Sequence, residues 1–147
     1  MKQSKIALVA ARFNGAIVAS LTSGAKEALL KRGVPENEIE IFEVPGALEL
    51  PLVCQRLAKT RRFAGILALG VVIRGETTHY DYVCNGCVQG IMQAQLITEV
   101  PILSAVLTTE DEAQALARAG GEHGNKGEDC AIALLEMITV LGQINEQ

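Results

Sequence analysis

The most constraining feature of this chain is an unbroken apolar run at residues 66–73, followed at once by Arg74, Gly75 and a polar cluster that ends at His79. An apolar run of this length that is flanked by glycine is typical of a buried strand. A buried strand that ends in glycine, hydroxyls and an imidazole places these groups at the carboxyl edge of its sheet, where open α/β sheets bind ligands. The segment therefore predicts a functional site at the end of this strand.

Strand-like and helix-like segments alternate along the chain. Strands are predicted at residues 5–11, 38–44, 65–73 and 102–107, and helices at residues 16–32, 51–60, 82–98, 109–118 and 128–144, with a loop at 120–127. This alternation predicts an α/β fold with a four-stranded parallel sheet, right-handed crossovers and helices on both faces, which is a three-layer α/β/α sandwich. The length predicts a single domain over residues 1–147.

Three helix ends carry specific signals. Asn14 is a good N-cap for the first helix, and Thr109 begins a capping-box pattern, Thr-Glu-Asp-Glu, that opens the fourth helix. Gly33, followed by Pro35, is predicted to cap the first helix at its C-terminus.

Apolar content is high for a chain of 147 residues, at 49% hydrophobic residues and a mean hydropathy of +0.26. The last predicted helix carries an apolar stripe wider than one sheet contact requires. A homo-oligomer, in which a second subunit covers part of this surface, is favoured over an Ala/Val/Leu-rich monomer core.

Charge and aromatic content argue against several classes of partner. The net charge is −4, and the chain has no Trp, two Tyr and three Phe, so nucleic-acid binding is not expected. No apolar stretch approaches the roughly 20 residues that span a bilayer. The N-terminal residues show no cleavage signature, so we expect no signal peptide and a cytoplasmic protein.

The four cysteines fit a reducing compartment. Cys84 and Cys87 have the spacing of a redox motif, and with His79 and His123 they suggest zinc as a further alternative. Because a second close ligand pair is missing from the sequence and the motif lies inside a helical pattern, packed thiols are favoured over redox or metal chemistry.

Three candidate residues follow the first three predicted strands. His79 suits proton transfer, although a helix-start imidazole bonded to backbone is the plainer alternative. Phe13 suits stacking on a planar ring or stapling a helix, and Glu49 suits hydroxyl binding or a solvated first turn. Because parallel strands end at one edge, the three candidates are expected to lie on one rim. Lys126 lies within a Gly-Asn-Lys-Gly motif, and Arg118 precedes this motif. Together they suggest an anion site that does not match the P-loop pattern.

Five motifs carry a resemblance to a known family. They are ARFN, VPGALELP, GVVIRGETTHYDYVCN, VLTTED and RAGGEHGNKG, at residues 11–14, 44–51, 70–85, 106–111 and 118–127. In their order and spacing the chain resembles the 6,7-dimethyl-8-ribityllumazine synthases over essentially its whole length. The resemblance implies a flavodoxin-like fold and the condensation of 5-amino-6-(D-ribitylamino)uracil with 3,4-dihydroxy-2-butanone 4-phosphate. The implied products are the lumazine, phosphate and water, in the penultimate step of riboflavin biosynthesis, without a metal or redox cofactor.

The resemblance also implies site roles. His79 matches the proton-transfer residue of the family. The positions that match its substrate-binding residues are Phe13, Asn14, Ala47, Leu48, Glu49, Val71, Val72, Ile73 and Ser104. The positions that match its phosphate-binding residues are Glu76, Thr77, Arg118 and Lys126. Phe13 would stack on the pyrimidine ring, and residues 47–49 would hold the ribityl chain.

By the same likeness the protein is a pentamer or an assembly of pentamers that acts on two small-molecule substrates between subunits. Phe13, Glu49 and His79 would come from one chain, and Arg118 and Lys126 from the next. The short N-terminus favours a pentamer, whereas the loop before the last helix has no insertion that would prevent a sixty-subunit shell. The choice between the two assemblies therefore stays open.

The chain departs from the common pattern of the family in a few places. Leu48 stands where the family often has Phe, and Ser104 where many members have an aromatic residue, which predicts a roomier and wetter pocket wall. Glu122 and His123 replace a more usual Lys-Ala, and Glu122 adds negative charge near the expected phosphate region. A flavin- or lumazine-binding flavodoxin-like module, or a shell protein without catalysis, is the alternative function.

Overall fold

The computed structural model describes residues 4–146. Part of the N-terminal segment on which the signal-peptide expectation depends, residues 1–3, lies outside the described residues. The helices and strands are β1 (Lys5–Ala11), α1 (Gly15–Lys31), β2 (Ile39–Val44), α2 (Leu50–Lys59), β3 (Phe63–Ile73), α3 (His79–Thr98), β4 (Ile102–Thr109), α4 (Glu112–Ala117), β5 (Ala119–Gly121), β6 (Gly124–Asn125) and α5 (Lys126–Asn145).

The main sheet is parallel, with the strand order β2-β1-β3-β4 across the described residues. One hydrophobic cluster joins one face of the sheet to α1 and α5, through residues such as Leu21 and Leu134. A second cluster joins the opposite face to α2 and α3, through Cys54 and Ile91. The predicted three-layer α/β/α architecture with a four-stranded parallel sheet is confirmed.

β3 lies in the middle of the sheet and is buried from residue 65 to residue 71, as the apolar run predicts. It begins at Phe63, two residues before the predicted start. The Phe63 ring is fully buried, edge-on to Phe42 at 6.2 Å between ring centroids and beneath the Arg62 guanidinium at 4.9 Å. This start is not predicted from the sequence, because Phe63 follows two arginines and such a polar pair is typical of a turn.

α3 begins at His79, three residues before the predicted start. Its first turn is polar, so hydrophobic periodicity begins only later, near Tyr82. The Thr77 hydroxyl oxygen accepts a hydrogen bond from the His79 backbone N–H at 3.3 Å. His79 is therefore the first helical residue rather than a loop residue.

The capping box predicted from Thr109 is wrong in its position. Thr109 is buried, ends β4, and its hydroxyl donates to the Asp111 carbonyl at 2.9 Å. Asp111 is the N-cap of α4, since its carboxylate accepts from the Gln114 backbone N–H at 2.8 Å. The helix begins later than predicted because the buried Thr109 extends the strand.

The predicted loop at residues 120–127 contains the antiparallel hairpin of β5 and β6. α5 begins at Lys126, two residues before its predicted start, and the Asn125 side chain caps it by accepting from the Glu128 N–H at 3.1 Å. The C-terminal cap predicted at Gly33 is confirmed. Gly33 has a φ of +93°, and the Gly33 and Val34 N–H groups donate to carbonyls in the last turn of α1, which is a Schellman motif.

Groups of three or more exposed large apolar side chains lie on α3 and α5. On α3 they are Tyr82, Val88, Met92, Leu96 and Ile97, and on α5 they are Met137, Val140 and Ile144. A partner that covers the wide stripe of α5 stays a prediction. Within residues 4–146, no helix is both long enough and apolar enough to pass through a bilayer.

Candidate active site

A cleft of about 360 Å³ lies at the carboxyl ends of β1, β2 and β3. The residues that line it are Phe13, Asn14, Gly46, Ala47, Leu48, Glu49, Val71, Val72, Ile73, Gly75, Thr77, His79, Tyr80 and Val83. Ten of the fourteen site residues predicted from the sequence are among them. The fold thus brings the segments after the first three strands together on one rim.

Phe13 and Asn14 form the wall nearest β1. The Phe13 N–H donates to the Pro45 carbonyl at 3.2 Å, which holds this segment beside the end of β2, and the Phe13 ring is 72% exposed. Asn14 has a left-handed backbone, with φ 60° and ψ 42°. The side-chain capping predicted for Asn14 is wrong within the described residues, because its amide instead donates to the Val71 carbonyl at 3.0 Å.

The second wall is the short 3-10 turn Ala47–Glu49. The Glu49 N–H donates to the Gly46 carbonyl at 3.2 Å, and the Glu49 carboxylate lies over Gly46, 3.2 Å from where a Cβ would stand. Leu48 is about half exposed and reaches Gly86 on α3, where an added Cβ would approach it to 2.9 Å. The small residue at 86 therefore makes room for the apolar side chain that stands in place of the more usual Phe.

His79 lines the cleft from the first turn of α3. A helix N-terminus carries partial positive charge, which favours anionic groups nearby. Thr77 lines the cleft as well, whereas Glu76 is exposed and lies outside the cleft lining. The His79 imidazole at this place is within reach of a molecule bound in the cleft.

Arg74 ties the loop before His79 to its surroundings. Its Nε donates to a carboxylate oxygen of Glu110 at 2.7 Å, and a terminal guanidinium nitrogen lies 3.5 Å from a carboxylate oxygen of Asp81. The guanidinium also stands over the Tyr80 ring, 4.3 Å from its centroid. Partial desolvation lowers the pKa of Arg74, but the carboxylates of Glu110 and Asp81 raise it, and the net shift is upward. The Arg74 guanidinium therefore stays charged.

Tyr80 and Val83 are two further residues of the site that are not predicted from the sequence. Both line the cleft, and Val83 is one helical turn after His79, so the i, i+4 spacing would have placed it on the same face. Partial burial is the largest cause of a raised pKa of the Tyr80 hydroxyl, which lies near Thr108 and the Cys84 thiol. Tyr80 is therefore a neutral hydroxyl at neutral pH.

A second pocket, of about 500 Å³, lies beyond the end of β4. It is lined by Val106, Leu107, Thr108, Thr109, Gln114, Arg118, His123, Lys126 and Asp129. Arg118 and Lys126 are placed together here, and among the described residues neither lines the cleft that holds His79. The Arg118 and Lys126 side chains on the wall of the second pocket suit a small anion.

Local hydrogen bonds fix the backbone around this second pocket. One Arg118 guanidinium nitrogen donates to the Gln114 carbonyl at 3.0 Å, one helical turn earlier. The Lys126 N–H donates to the Arg118 carbonyl at 2.9 Å. Ser104 lies in neither pocket. It is half-buried on β4, and its hydroxyl oxygen accepts from the Val106 N–H at 3.3 Å.

Across residues 4–146, no group of three or more His, Cys, Asp or Glu side chains is placed to hold a metal ion. The cysteines at 54, 84, 87 and 130 are free thiols, and Cys54 and Cys87 are buried.

The fold and these pockets define an α/β protein with a ligand cleft at the carboxyl edge of a parallel sheet and a second, cationic pocket beyond the end of β4. The family model for 6,7-dimethyl-8-ribityllumazine synthase matches residues 3–142. The chain therefore belongs to the 6,7-dimethyl-8-ribityllumazine synthase family, and the family, fold and enzyme class predicted from the sequence are confirmed. The alternative of a binding or shell protein without catalysis is not favoured.

Curated relatives with this name are similar over nearly their whole length. The one from Leuconostoc mesenteroides is 50% identical over 95% of this chain and 90% of its own. Those from Lactiplantibacillus plantarum and Stenotrophomonas maltophilia R551-3 are 48% and 47% identical, over 92% and 97% of this chain and 86% and 92% of theirs. A crystal structure of a GDP-L-fucose synthetase from Naegleria fowleri aligns with a TM-score of 0.42 and 12% identity, over 99% of this chain and 45% of its own.

Proposed function

We propose that this chain condenses 5-amino-6-(D-ribitylamino)uracil with 3,4-dihydroxy-2-butanone 4-phosphate to 6,7-dimethyl-8-ribityllumazine, as a single catalytic domain that works in the cytoplasm. The observation that carries the proposal is the division of the predicted site residues between a cleft that suits a ring and a pocket that suits a phosphate. Family membership supports the same reaction.

The cleft has the groups that the pyrimidine substrate requires. The exposed Phe13 ring offers a stacking surface at the mouth. Backbone groups at the end of β3, at Val71, Val72 and Ile73, face the polar edge of the ring, and the Glu49 carboxylate accepts hydrogen bonds from ribityl hydroxyls. Aromatic stacking with hydrogen bonds at the ring edge orients a planar substrate.

The chemistry consists of proton transfers around bond changes at the bound substrates. The 5-amino group attacks the ketone and loses one water to give an imine. Loss of a proton and of the phosphate leaving group then gives an enol, which returns to a ketone. Attack by the ribityl-bearing nitrogen on this ketone, with loss of a second water, closes the ring. His79 is the group that takes up and returns protons, a role that typically contributes about 10²–10⁴-fold to the rate.

The phosphate ester is bound by Arg118 and Lys126, with backbone N–H groups of Glu76 and Thr77 as further donors. Arg and Lys both suit phosphate oxygens. Because Arg118 and Lys126 line a different pocket from His79, a complete site requires the cleft of one chain and the cationic pocket of a second copy. Ser104 then faces the same composite site from the second copy. We propose a homo-oligomer, pentameric or built from pentamers, in which each site is shared.

The reaction itself is the first test. Purified protein with both substrates is expected to produce the lumazine, followed by its absorbance, and one phosphate per lumazine, above the uncatalysed rate. Absence of any acceleration would leave a binding or shell role instead. Holding two reactants together contributes up to roughly 7–11 kcal/mol, so His79→Gln is expected to retain part of the activity.

Mixing two damaged chains tests the shared site. Arg118→Ala damages the cationic pocket and His79→Gln damages the cleft, so each variant alone carries one defect in every site. When the two are dissociated, mixed in equal amounts and reassembled, about a quarter of the sites in a ring combine two intact halves. We expect activity to rise above the mean of the two variants. A mixture that stays at this mean would show that each chain holds its own complete site.

A further inference from the structure

The segment between β3 and α3, residues 74–79, has little packing to hold it in place. Every residue in it is exposed, and a Cβ added at Gly75 would meet no described atom within 4 Å. In the proposed reaction this segment supplies the N–H groups of Glu76 and Thr77 to the phosphate ester, and it leads into His79. Ordering an exposed segment on binding costs conformational entropy, so a contact that orders it beforehand strengthens binding.

The Arg74 side chain makes such a contact, because it bridges the two ends of the segment. One of its terminal guanidinium nitrogens lies 3.5 Å from a carboxylate oxygen of Asp81, and the guanidinium stands over the Tyr80 ring, 4.3 Å from the centroid. Tyr80 and Asp81 belong to the first turn of α3, whereas Arg74 directly follows β3. The side chain at the start of the segment therefore contacts the residues just after its end.

Arg74 is also bonded to the end of the neighbouring strand. Its Nε donates to a carboxylate oxygen of Glu110 at 2.7 Å, and its backbone N–H donates to the Thr109 carbonyl at 2.9 Å. The segment is thus closed across its two ends and tied to β4. We call the contacts of the Arg74 side chain with Tyr80, Asp81 and Glu110 the Arg74 clasp.

These contacts occupy the groups with which Arg74 could bind the phosphate ester directly. Its Nε faces the Glu110 carboxylate and one terminal nitrogen faces Asp81, so two negative charges lie beside its single positive charge. A bidentate grip on a phosphate uses two parallel N–H groups of a guanidinium, and here two of these groups already face carboxylates. Arg74 is therefore placed to hold parts of the chain together rather than to bind the anion.

We propose that Arg74 is a positioning residue for the phosphate substrate, because the Arg74 clasp holds residues 74–79 in the form in which the Glu76 and Thr77 N–H groups meet the phosphate ester. The proposal rests on the proposed function, which assigns these N–H groups to the phosphate. Apparent affinity falls in proportion to the fraction of molecules whose site is preformed. Loss of the clasp therefore weakens binding of the phosphate substrate, whereas the pyrimidine substrate, which stacks on Phe13, is unaffected.

Steady-state kinetics of Arg74→Gln, with each substrate varied in turn, tests this role. We expect KM for 3,4-dihydroxy-2-butanone 4-phosphate to rise about fivefold, which corresponds to a site preformed in about a fifth of the molecules. Saturating substrate orders the segment, so kcat and KM for the pyrimidine are each expected to change by less than about twofold. Arg74→Lys keeps the charge without the planar fork and is expected to recover part of the loss. An unchanged KM for the phosphate substrate, or an equal rise in both KM values, would overturn the proposal.

Glu110→Ala separates positioning from charge. It removes a negative charge near the phosphate donors, so electrostatics alone would lower KM for the phosphate substrate, whereas loss of the clasp raises it. We expect a rise, and we expect the double variant with Arg74→Gln to match Arg74→Gln alone, since both changes remove the same contact. Glu112→Ala, which removes an exposed carboxylate from the first turn of α4, is the control and is expected to keep the wild-type KM. A lower KM for Glu110→Ala, or additive effects in the double variant, would contradict the clasp.

Hydrogen exchange followed by mass spectrometry examines the segment without turnover. In Arg74→Gln the peptide that covers residues 74–81 is expected to exchange faster than in the wild type, and inorganic phosphate, the probe, is expected to slow it. Exchange at the wild-type rate would overturn the proposal even in an active enzyme. If Arg118→Ala keeps the wild-type KM for the phosphate substrate, the phosphate assignment of the proposed function fails, while the exchange rate still decides whether Arg74 holds the segment.

Discussion

The Asn14 side chain joins the loop after β1 to the carboxyl end of β3. Its amide donates to Val71 at 3.0 Å, across 57 positions of sequence, from a left-handed backbone with φ 60°. Asparagine tolerates this conformation better than other residues with a Cβ. Asn14 therefore fixes the spacing between two walls of the cleft.

Two substitutions at Asn14 separate the hydrogen bond from the backbone conformation. Asn14→Gly removes the bond but accepts the left-handed φ, so we expect a loss of about 1 kcal/mol in the free energy of unfolding. Asn14→Ala also loses the tolerance of asparagine for the left-handed conformation and is expected to be about 1–2 kcal/mol less stable than Asn14→Gly. Urea unfolding of the two variants measures both steps, and equal stabilities would refute the conformational part.

Burial raises the pKa of two thiols, Cys54 and Cys87. Desolvation, followed by the nearby Cys87, raises the pKa of Cys54 to about 12, and desolvation, followed by the nearby Cys84, raises that of Cys87 to about 11. Both are neutral thiols at neutral pH. A neutral thiol is a poor nucleophile and metal ligand, which agrees with the packed-thiol interpretation of the sequence.

The raised pKa of Cys54 predicts a loss of stability in alkaline solution. Below the pKa of an unfolded thiol, near 8.5, both states hold the proton and the contribution of Cys54 is complete. Between this value and about 12, the unfolded chain releases the proton first, so the free energy of unfolding falls by about 1.4 kcal/mol per pH unit for this one group. Cys54→Ala is expected to have a slope shallower by this amount in urea unfolding at rising pH. Identical slopes, or rapid alkylation of native Cys54 at neutral pH, would contradict the assignment.

At the scale of elements, the packing of α1 against α5 depends on Gly127. A Cβ at this position would collide with the carbonyl oxygen of Leu21. Gly127 ends the Gly-Asn-Lys-Gly motif, which from the sequence alone indicates only an anion site. In the structure this glycine also allows α5 to begin against the backbone of α1.

Gly127→Ala and Gly142→Ala are a matched pair within α5. Gly127→Ala must displace backbone and is expected to destabilise the fold by at least about 2 kcal/mol. At Gly142 the described residues leave open space around an added methyl group. Alanine there is expected to stabilise the helix by about 0.5–1 kcal/mol, because glycine costs helices that much. Thermal and urea unfolding decide this, and a well-tolerated Gly127→Ala would exclude the close approach of the helices.

The sequence predicted best those features that depend on local pattern. The apolar run of β3 identified the buried central strand, and the shared edge of parallel strands was enough to place Phe13, Glu49 and His79 on one rim. The hairpin at residues 119–125 escaped notice because its glycines show no alternation of apolar and polar residues. The hydrogen bond from the Asn14 side chain to the Val71 carbonyl could not be predicted, because the two residues are distant in sequence.

On the scale of the whole molecule, α3 presents an apolar stripe to solvent. Val88, Met92 and Leu96 follow one another at intervals of four residues, so they lie on one face of the helix, and Leu96 is 68% exposed. A face of this kind is typical of a surface covered in an assembly. A second copy of this chain is the partner that the shared-site proposal requires.

Charge on this stripe is expected to disrupt the assembly. The double substitution Met92→Glu and Leu96→Glu places two carboxylates in the proposed interface, so the solution mass is expected to fall towards the 15.6 kDa of one chain. Activity is expected to fall with it if the sites are shared as proposed. Lys31→Glu, on α1, is the control, since it adds a carboxylate at a different surface. A variant that keeps the wild-type mass would show that α3 faces solvent.

If the sites are shared as proposed, each chain contributes its cleft to one site and its cationic pocket to another. In an open row of such chains, each of the two end chains has one half-site without a partner. In a closed ring every half-site is paired. Turnover per molecule is then expected to depend on the protein concentration in the cell. Newly made chains are expected to contribute little until they are numerous enough to close a ring, and dilution is expected to lower activity without damage to any residue.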